Sequence, residues 1–439
     1  MRFEDLRLNE PILRSVRTAG YENTTPIQAK AIPHILAGKD VLGCAQTGTG
    51  KTAAFALPIL QQLSHSPRQP KKQTRRIRTL VLAPTRELAQ QIHDSFRTYG
   101  RHTKIRQTAI FGGVNQNPQA RALRAGVDIL VATPGRLLDL MNQGLVSLDT
   151  VEILVLDEAD RMLDMGFLPD IRRILAPIPK KRQTLLFSAT MPAPIRKLAN
   201  EILHDAVSVQ VAPRESAPPS TVEHLVYYVE KSNKTLLLTS LLDHSPYSRV
   251  LVFTRTKHGA DKVVRQLGHA GMSAVALHGN KTQAARTRAL AAFRSAKTPI
   301  LVATDIAARG LDVQDISHVI NYDLTHEPET YVHRIGRTGR AGESGTAVSF
   351  CMAEDHGNLQ AIERLLRTQL QRVENPPGYT GPKITPAPRP APGKGAARKT
   401  RRPGNRGRTQ PGTASGSSAR SSRPRHKTNR QRARQPVAS

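Results

Sequence analysis

Short apolar runs of four or five residues, each stopped by a polar or Gly/Pro-containing turn, recur along this chain with helix-length segments between them. Val41 to Cys44, Thr79 to Ala83, Ile129 to Ala132, Ile153 to Leu156 and Thr184 to Phe187 form a first set. Val250 to Phe253, Ala274 to Leu277, Ile300 to Ala303, Val319 to Tyr322 and Thr346 to Phe350 form a second. Runs that are apolar throughout, without the alternation of a half-solvated strand, suit strands covered on both faces. That requirement selects a parallel sheet flanked by helices. Ile-Leu-Val-Ala-Thr even occurs twice, at Ile129 and at Ile300. The expected class is α/β, with two similar parallel-sheet domains in tandem, residues 1–211 and 223–371. The Pro- and Ser-rich stretch 212–222 between them reads as a linker.

Charge divides the chain differently. Lys and Arg total 65 against 34 acidic residues, a net charge of +31 that makes a polyanionic partner the first to consider. From Thr380 to Ser439 there are 16 Lys and Arg with no acidic or aromatic residue. Such a segment cannot offset the ordering entropy of folding, so residues 372–439 are expected to be a disordered basic tail that tethers a polyanionic partner through its phosphates. The basic insertion from Arg68 to Arg76 reads as an exposed loop. Two cysteines, Cys44 and Cys351, rule out a disulfide framework. With no signal-peptide core at the start and no run approaching the ~20 apolar residues that span a bilayer, a soluble cytoplasmic protein without membrane contact is expected.

In sheets of this kind ligands gather beyond the carboxyl ends of strands, and two such ends carry chemistry. Ile153-Leu-Val-Leu runs straight into Asp157-Glu158-Ala-Asp160. Acidic residues at a helix start suit its positive end even without a ligand, so the cluster alone does not make a site. The run at Val41, however, leads into Ala45-Gln46-Thr47-Gly48-Thr49-Gly50-Lys51-Thr52. There glycines let backbone N–H groups face phosphate oxygens, Lys51 reaches the terminal phosphates and the Thr52 hydroxyl suits Mg2+. Beside such a loop Asp157 suits the metal and Glu158 the water attacking a γ-phosphate. His333-Arg-Ile-Gly-Arg337-Thr-Gly-Arg340, in the second half, could bring arginines across a cleft to charge developing on that phosphate.

Together these stretches resemble the DEAD-box ATP-dependent RNA helicases over about residues 1–370, and the short lead-in and basic tail are most similar to the bacterial RhlE-type branch. Gly20 to Gln28, with Phe3 upstream, is similar to the family's adenine-reading Q motif, which implies nucleotide contacts from Tyr21 and Gln28. The family's P-loop usually begins with Ala, as at Ala45. Pro84-Thr85-Arg86, Gly112-Gly113 and Thr133-Pro134-Gly135-Arg136 resemble its first-domain RNA-backbone contacts. Ser188-Ala-Thr190 resembles the element that couples hydrolysis to RNA binding, with Asp160 and His333 in the same coupling set. Phe253-Thr-Arg255-Thr256, His278-Gly279 and Ala303 to Asp312 are similar to further contacts, which implies RNA at Arg255 and Thr304 and the ribose at Asp305. Arg337 and Arg340 would be the fingers. The resemblance implies two RecA-like domains, ATP and Mg2+ as cofactors, and single-stranded or short duplex RNA as substrate, separated locally.

Two other readings stay open on the residues themselves. A DNA helicase or translocase shares the P-loop and acidic strand end. A basic RNA-binding scaffold, engaged with ribosome-assembly or RNA-decay proteins, would need only the charge.

Overall fold

The computed structural model describes residues 1–45, 48–65, 76–211, 222–308, 313, 315–339, 344–377 and 379–382. Most of the expected linker and nearly all of the basic tail therefore lie outside the described residues, as do most of the insertion at Arg68 and the site candidates Gln46, Thr47 and Arg340.

Two seven-stranded sheets organise the rest. The first contains β1 (Val41–Cys44), β2 (Thr79–Leu82), β3 (Gln107–Ile110), β4 (Ile129–Ala132), β5 (Ile153–Leu156), β6 (Gln183–Ser188) and β7 (Val207–Gln210), in the order β3-β4-β2-β5-β6-β1-β7. The second contains β8 (Val222–Tyr228), β9 (Val250–Phe253), β10 (Ala274–Leu277), β11 (Ile300–Ala303), β12 (His318–Asn321), β13 (Gly345–Cys351) and β14 (Gln371–Arg372), in the order β10-β11-β9-β12-β13-β8-β14. Adding seven to each strand number of the first order gives the second. Every pairing in these ladders is parallel. The repeated Ile-Leu-Val-Ala falls on β4 and β11, the same place in each sheet.

The near-continuous apolar runs have the expected cause. In the first sheet Val81, Val131 and Val155 face one core with Phe55, Phe96 and Phe187, while Leu80, Leu130 and Leu154 face another with Ile171 and Leu198. In the second, Val250 and Val252 face one side and Leu251 and Phe253 the other. Each such side chain contributes about 1.5–3 kcal/mol when buried. Phe3, Leu6, Leu8, Ile12 and Val16 belong to the first core, so the lead-in is part of that lobe. The chain also stays on the second lobe past residue 371. Val373 N–H donates to Val226 O (3.0 Å), Ser240 Oγ donates to Pro377 O (2.9 Å), and Val373 and Tyr379 pack on that core. Among the described residues no helix is long and apolar enough to cross a membrane.

β1 aims the P-loop and is itself held from above. Phe187 packs 5.5 Å, ring to ring, from Phe55, and a Cβ on Gly43 would fall 2.5 Å from Phe187 Cδ1. Gly43→Val is therefore expected to lower stability by about 1–3 kcal/mol through overpacking, read from the midpoint of urea unfolding at unchanged slope.

Candidate functional site

Beyond β1 the chain turns through Gly48 (φ 86°) and Gly50 (φ 89°), left-handed backbone that favours glycine. Gln28 braces the turn. Its Nε2 donates to Gly50 O (3.1 Å) and its Oε1 accepts from Thr25 N (2.9 Å), and a Cβ on Gly50 would collide with its amide. Tyr21, half exposed nearby, has its ring 6.4 Å from Phe3 and 6.3 Å from Tyr99. Lys51 opens the helix Lys51–His65, followed by Thr52, and its Nζ is buried without a hydrogen-bond partner among the described residues. A buried ammonium in that condition calls for an anion. A phosphate chain fits.

Carboxylates from β5 meet this lysine. Burial pushes the Asp157 carboxyl up to about 6, with Glu158 and Asp160 acting the same way and Lys51 opposing. Glu158 sits in the left-handed region (φ 53°, ψ 54°), a conformation that costs a glutamate roughly 1–3 kcal/mol and occurs at functional sites. Burial would raise its carboxyl too, but Arg161, Lys51 and Arg337 outweigh it and hold the group below its ordinary range. Arg161 Nη1 donates to Glu158 Oε2. Among the described residues no cluster of three or more His, Cys, Asp or Glu could hold a metal by itself. A cation at Asp157 would complete its shell from the Thr52 hydroxyl, phosphate oxygens and water, as Mg2+ does.

Asp160 turns away from this pocket. Its Oδ2 accepts from Thr190 N (2.7 Å), Thr190 Oγ1 (2.8 Å) and Ala189 N (3.2 Å), and its own N–H donates to Ser188 Oγ (3.1 Å). Ser188 Oγ in turn donates to Thr190 O (2.7 Å). The two motifs form one hydrogen-bonded unit across β5 and β6.

The second lobe brings positive charge toward one of these carboxylates, Glu158. Arg337, buried, follows the helix Pro328–Ile335 that carries His333, and its field reaches Glu158. Both oxygens of Asp305 are engaged by Arg334, Nε to Oδ1 at 2.6 Å and Nη2 to Oδ2 at 2.7 Å. Asp305 therefore braces the helix that leads to Arg337, a partner that the motifs did not disclose.

A cationic face lies along neighbouring strand ends. Beyond Pro84, Thr85 caps the helix Arg86–Tyr99 by accepting from Leu88 N (3.2 Å), and Thr133 precedes the helix Pro134–Asn142, which contains Gly135 and Arg136. The Arg86 guanidinium lies over Gly112 and Gly113, and a Cβ on Gly113 would collide with it. Arg136 Nη2 donates to Val114 O (3.4 Å), while its Nη1 is buried without a partner among the described residues. Burial, then Arg286, then Arg136 press the Arg86 guanidinium below its usual value against the pull of Glu87. Crowded guanidinium groups beside two helix starts suit a polyanion's phosphates. The equivalent ends in the second sheet are β9, leading to the half-exposed Arg255 and to Thr256, which accepts from Gly259 N (3.0 Å), and β11, leading to Thr304.

One contact ties the lobes directly. Arg286 Nε donates to Glu87 Oε1 at 2.8 Å and Gln283 Nε2 to the same oxygen at 3.2 Å, with Arg286 and Glu87 both buried. The partners lie 199 residues apart, so no spacing announces them.

Comparison with known proteins agrees with this geometry. The DEAD/DEAH box helicase family model matches residues 25–198, and that of the helicase conserved C-terminal domain matches residues 233–342. The DEAD-box ATP-dependent RNA helicase CshA of Bacillus cereus is 44% identical over 374 residues, 85% of this chain and 70% of that protein. The ATP-dependent RNA helicase CshA of Listeria monocytogenes is 42% identical over 85% and 71% of the two chains. Among solved structures, Saccharomyces cerevisiae Dbp5 bound to RNA and ADP BeF3 superposes with a TM-score of 0.75 at 31% identity, covering 85% of this chain and 95% of that one. The two bacterial relatives carry the CshA name and do not single out the RhlE-type branch.

Removing one partner of a buried ion pair strands the other charge, at a cost of about 3–5 kcal/mol. Arg286→Met is accordingly expected to favour separated lobes. A fall in energy transfer between dyes placed on the two lobes checks this, and unchanged transfer would mean that the pair does not hold them.

Proposed function

The chain belongs to the DEAD-box ATP-dependent RNA helicases, RNA-stimulated ATPases that remodel RNA, and from that premise we propose how its own residues divide the work. The observation that carries the reading is the split site. Lys51 and Glu158 stand on one lobe, and Arg337, whose field reaches Glu158, stands on the other. Ala45 to Thr52 cradle the phosphates of ATP, with Gln46 and Thr47 in that loop by motif, while Tyr21 and Gln28 flank the adenine side. Asp157 and Thr52 would hold Mg2+, which when bound would supply positive charge to offset that of the phosphates. Glu158 orients the attacking water and takes its proton. Arg337, with Arg340 by motif, supplies positive charge where it is needed only once the lobes are together.

RNA lies across both lobes, against Arg86, Gly112, Gly113 and Arg136 on the first and Arg255 and Thr304 on the second. Contacts of this kind read the backbone and leave base sequence unread. ATP and single-stranded RNA jointly favour closure, in which the bound strand cannot keep its duplex geometry. Asp160, Ser188, Thr190 and His333 relay hydrolysis to release of the strand. Residues 1–211 and 222–379 are the two working domains, since β8 starts at Val222 and the chain to Tyr379 packs on the second core, with 212–221 the hinge and the basic segment from residue 380 an added RNA tether. The short lead-in and basic tail support placement in the RhlE-type branch. Work in the cytoplasm alongside ribosome-assembly or RNA-decay proteins is the accompanying proposal, and rests on the family and on the composition.

Arg337→Ala should lower RNA-stimulated ATP turnover by about 10³-fold or more; wild-type turnover would sink the split site. Deletion of residues 380–439 should weaken RNA binding and flatten its dependence on log salt, since fewer counterions are released. An unchanged slope would refute the tether.

A further inference from the structure

The carboxyl end of β12 occupies, in the second sheet, the place that β5 occupies in the first. It carries Asp323, a carboxylate outside every motif discussed above. Asp323 binds in four directions. Its N–H donates to Phe253 O (3.2 Å) and its Oδ2 accepts the N–H of Arg255 (2.9 Å), which fixes the turn that presents Arg255. Its Oδ1 accepts from Lys234 Nζ (2.9 Å), and its carbonyl accepts from Arg334 Nη1 (2.7 Å).

Arg334 has no spare freedom. Its other donors hold both oxygens of Asp305 and, at 3.0 Å, Asn321 Oδ1, and its guanidinium carbon lies 5.0 Å from the Phe253 ring centre. The same helix leads to Arg337. On the other side, Arg255 Nη2 donates to Leu324 O (3.4 Å) and pairs with Asp355 Oδ1 (3.6 Å). Beneath them Lys234 is 1% exposed, with its ammonium donating to Tyr322 O (2.8 Å) and Asp323 Oδ1 (2.9 Å) and lying 5.4 Å from the Tyr322 ring centre. A buried ammonium persists only while a carboxylate compensates it, so Lys234 pins Asp323 whatever binds above.

We propose that Asp323, pinned by Lys234, is a positioning residue that sets the RNA-facing turn at Arg255 and the nucleotide-facing Arg334–Asp305 pair from a single point, so that the second lobe offers both in one register. This rests on Arg255 touching RNA and Arg337 touching the nucleotide, as argued above. A shift at either contact is then transmitted to the other, and the resulting coupling between the two ligands is reciprocal.

The test is the affinity of the full-length protein for a short fluorescent single-stranded RNA, with and without ADP–beryllium fluoride. The ratio of the two affinities measures coupling. Asp323→Asn alone would leave an uncompensated ammonium, so the variants are Lys234→Met combined with Asp323→Asn, which removes both charges, and Lys234→Arg, which keeps the charge and moves the carboxylate. In both, the ratio is expected to fall roughly tenfold, the loss falling mainly on RNA affinity measured with the nucleotide analogue. A full ratio in either folded variant overturns the proposal. So does an equal loss of RNA binding with and without nucleotide, the mark of a merely structural residue. A wild-type protein without any such ratio would instead remove the split-site reading itself.

Discussion

Three carboxylates are buried within four residues at the end of β5, and each needs a compensating group from a different part of the chain. Asp157 faces Lys51 from the end of β1, Glu158 meets Arg161 one turn on and Arg337 from the other lobe, and Asp160 is saturated by Ser188 to Thr190 beyond β6. Burial raises the interaction energy of every one of these charges. The cluster therefore draws three strand ends and two lobes to one place, and leaves Lys51 and Asp157 as the pair still short of partners. That residual demand suits an anion such as a phosphate chain.

Most of the fold could be read because the sheets are covered on both faces, which writes each central strand as an unbroken apolar run. The missed strands are the ones to which this does not apply. β3 (Gln-Thr-Ala-Ile) and β7 (Val-Ser-Val-Gln) lie at sheet edges and alternate in burial or remain half-buried, and β14 has only two residues. β8 begins within the stretch whose prolines suggested a linker, and is built into the sheet by β13 and β14.

The site divides along the same line. The phosphate loop and the acidic strand end are contiguous motifs, legible because their chemistry needs a fixed local spacing. Arg161, three residues after Glu158, was legible in principle as a helical i,i+3 partner. Glu87 with Arg286, Asp305 with Arg334 and Asp323 with Lys234 were not, because their meeting is a product of topology, and the charges involved look in sequence like ordinary solvated ones. Asp305 is instructive, since similarity directs it toward a ribose whereas both its oxygens here support Arg334.

The identical strand orders make the two lobes pseudo-equivalent, yet their counterpart ends have diverged. After β1 the chain supplies two glycines, Gly48 and Gly50, and a lysine; after β8, which holds the same place, it reads Val229-Glu230-Lys231-Ser232-Asn233, with no glycine to open a cradle. Of these two counterpart ends, only the one after β1 has the glycine-opened turn that suits phosphate, so the matching scaffolds carry different chemistry at the same place.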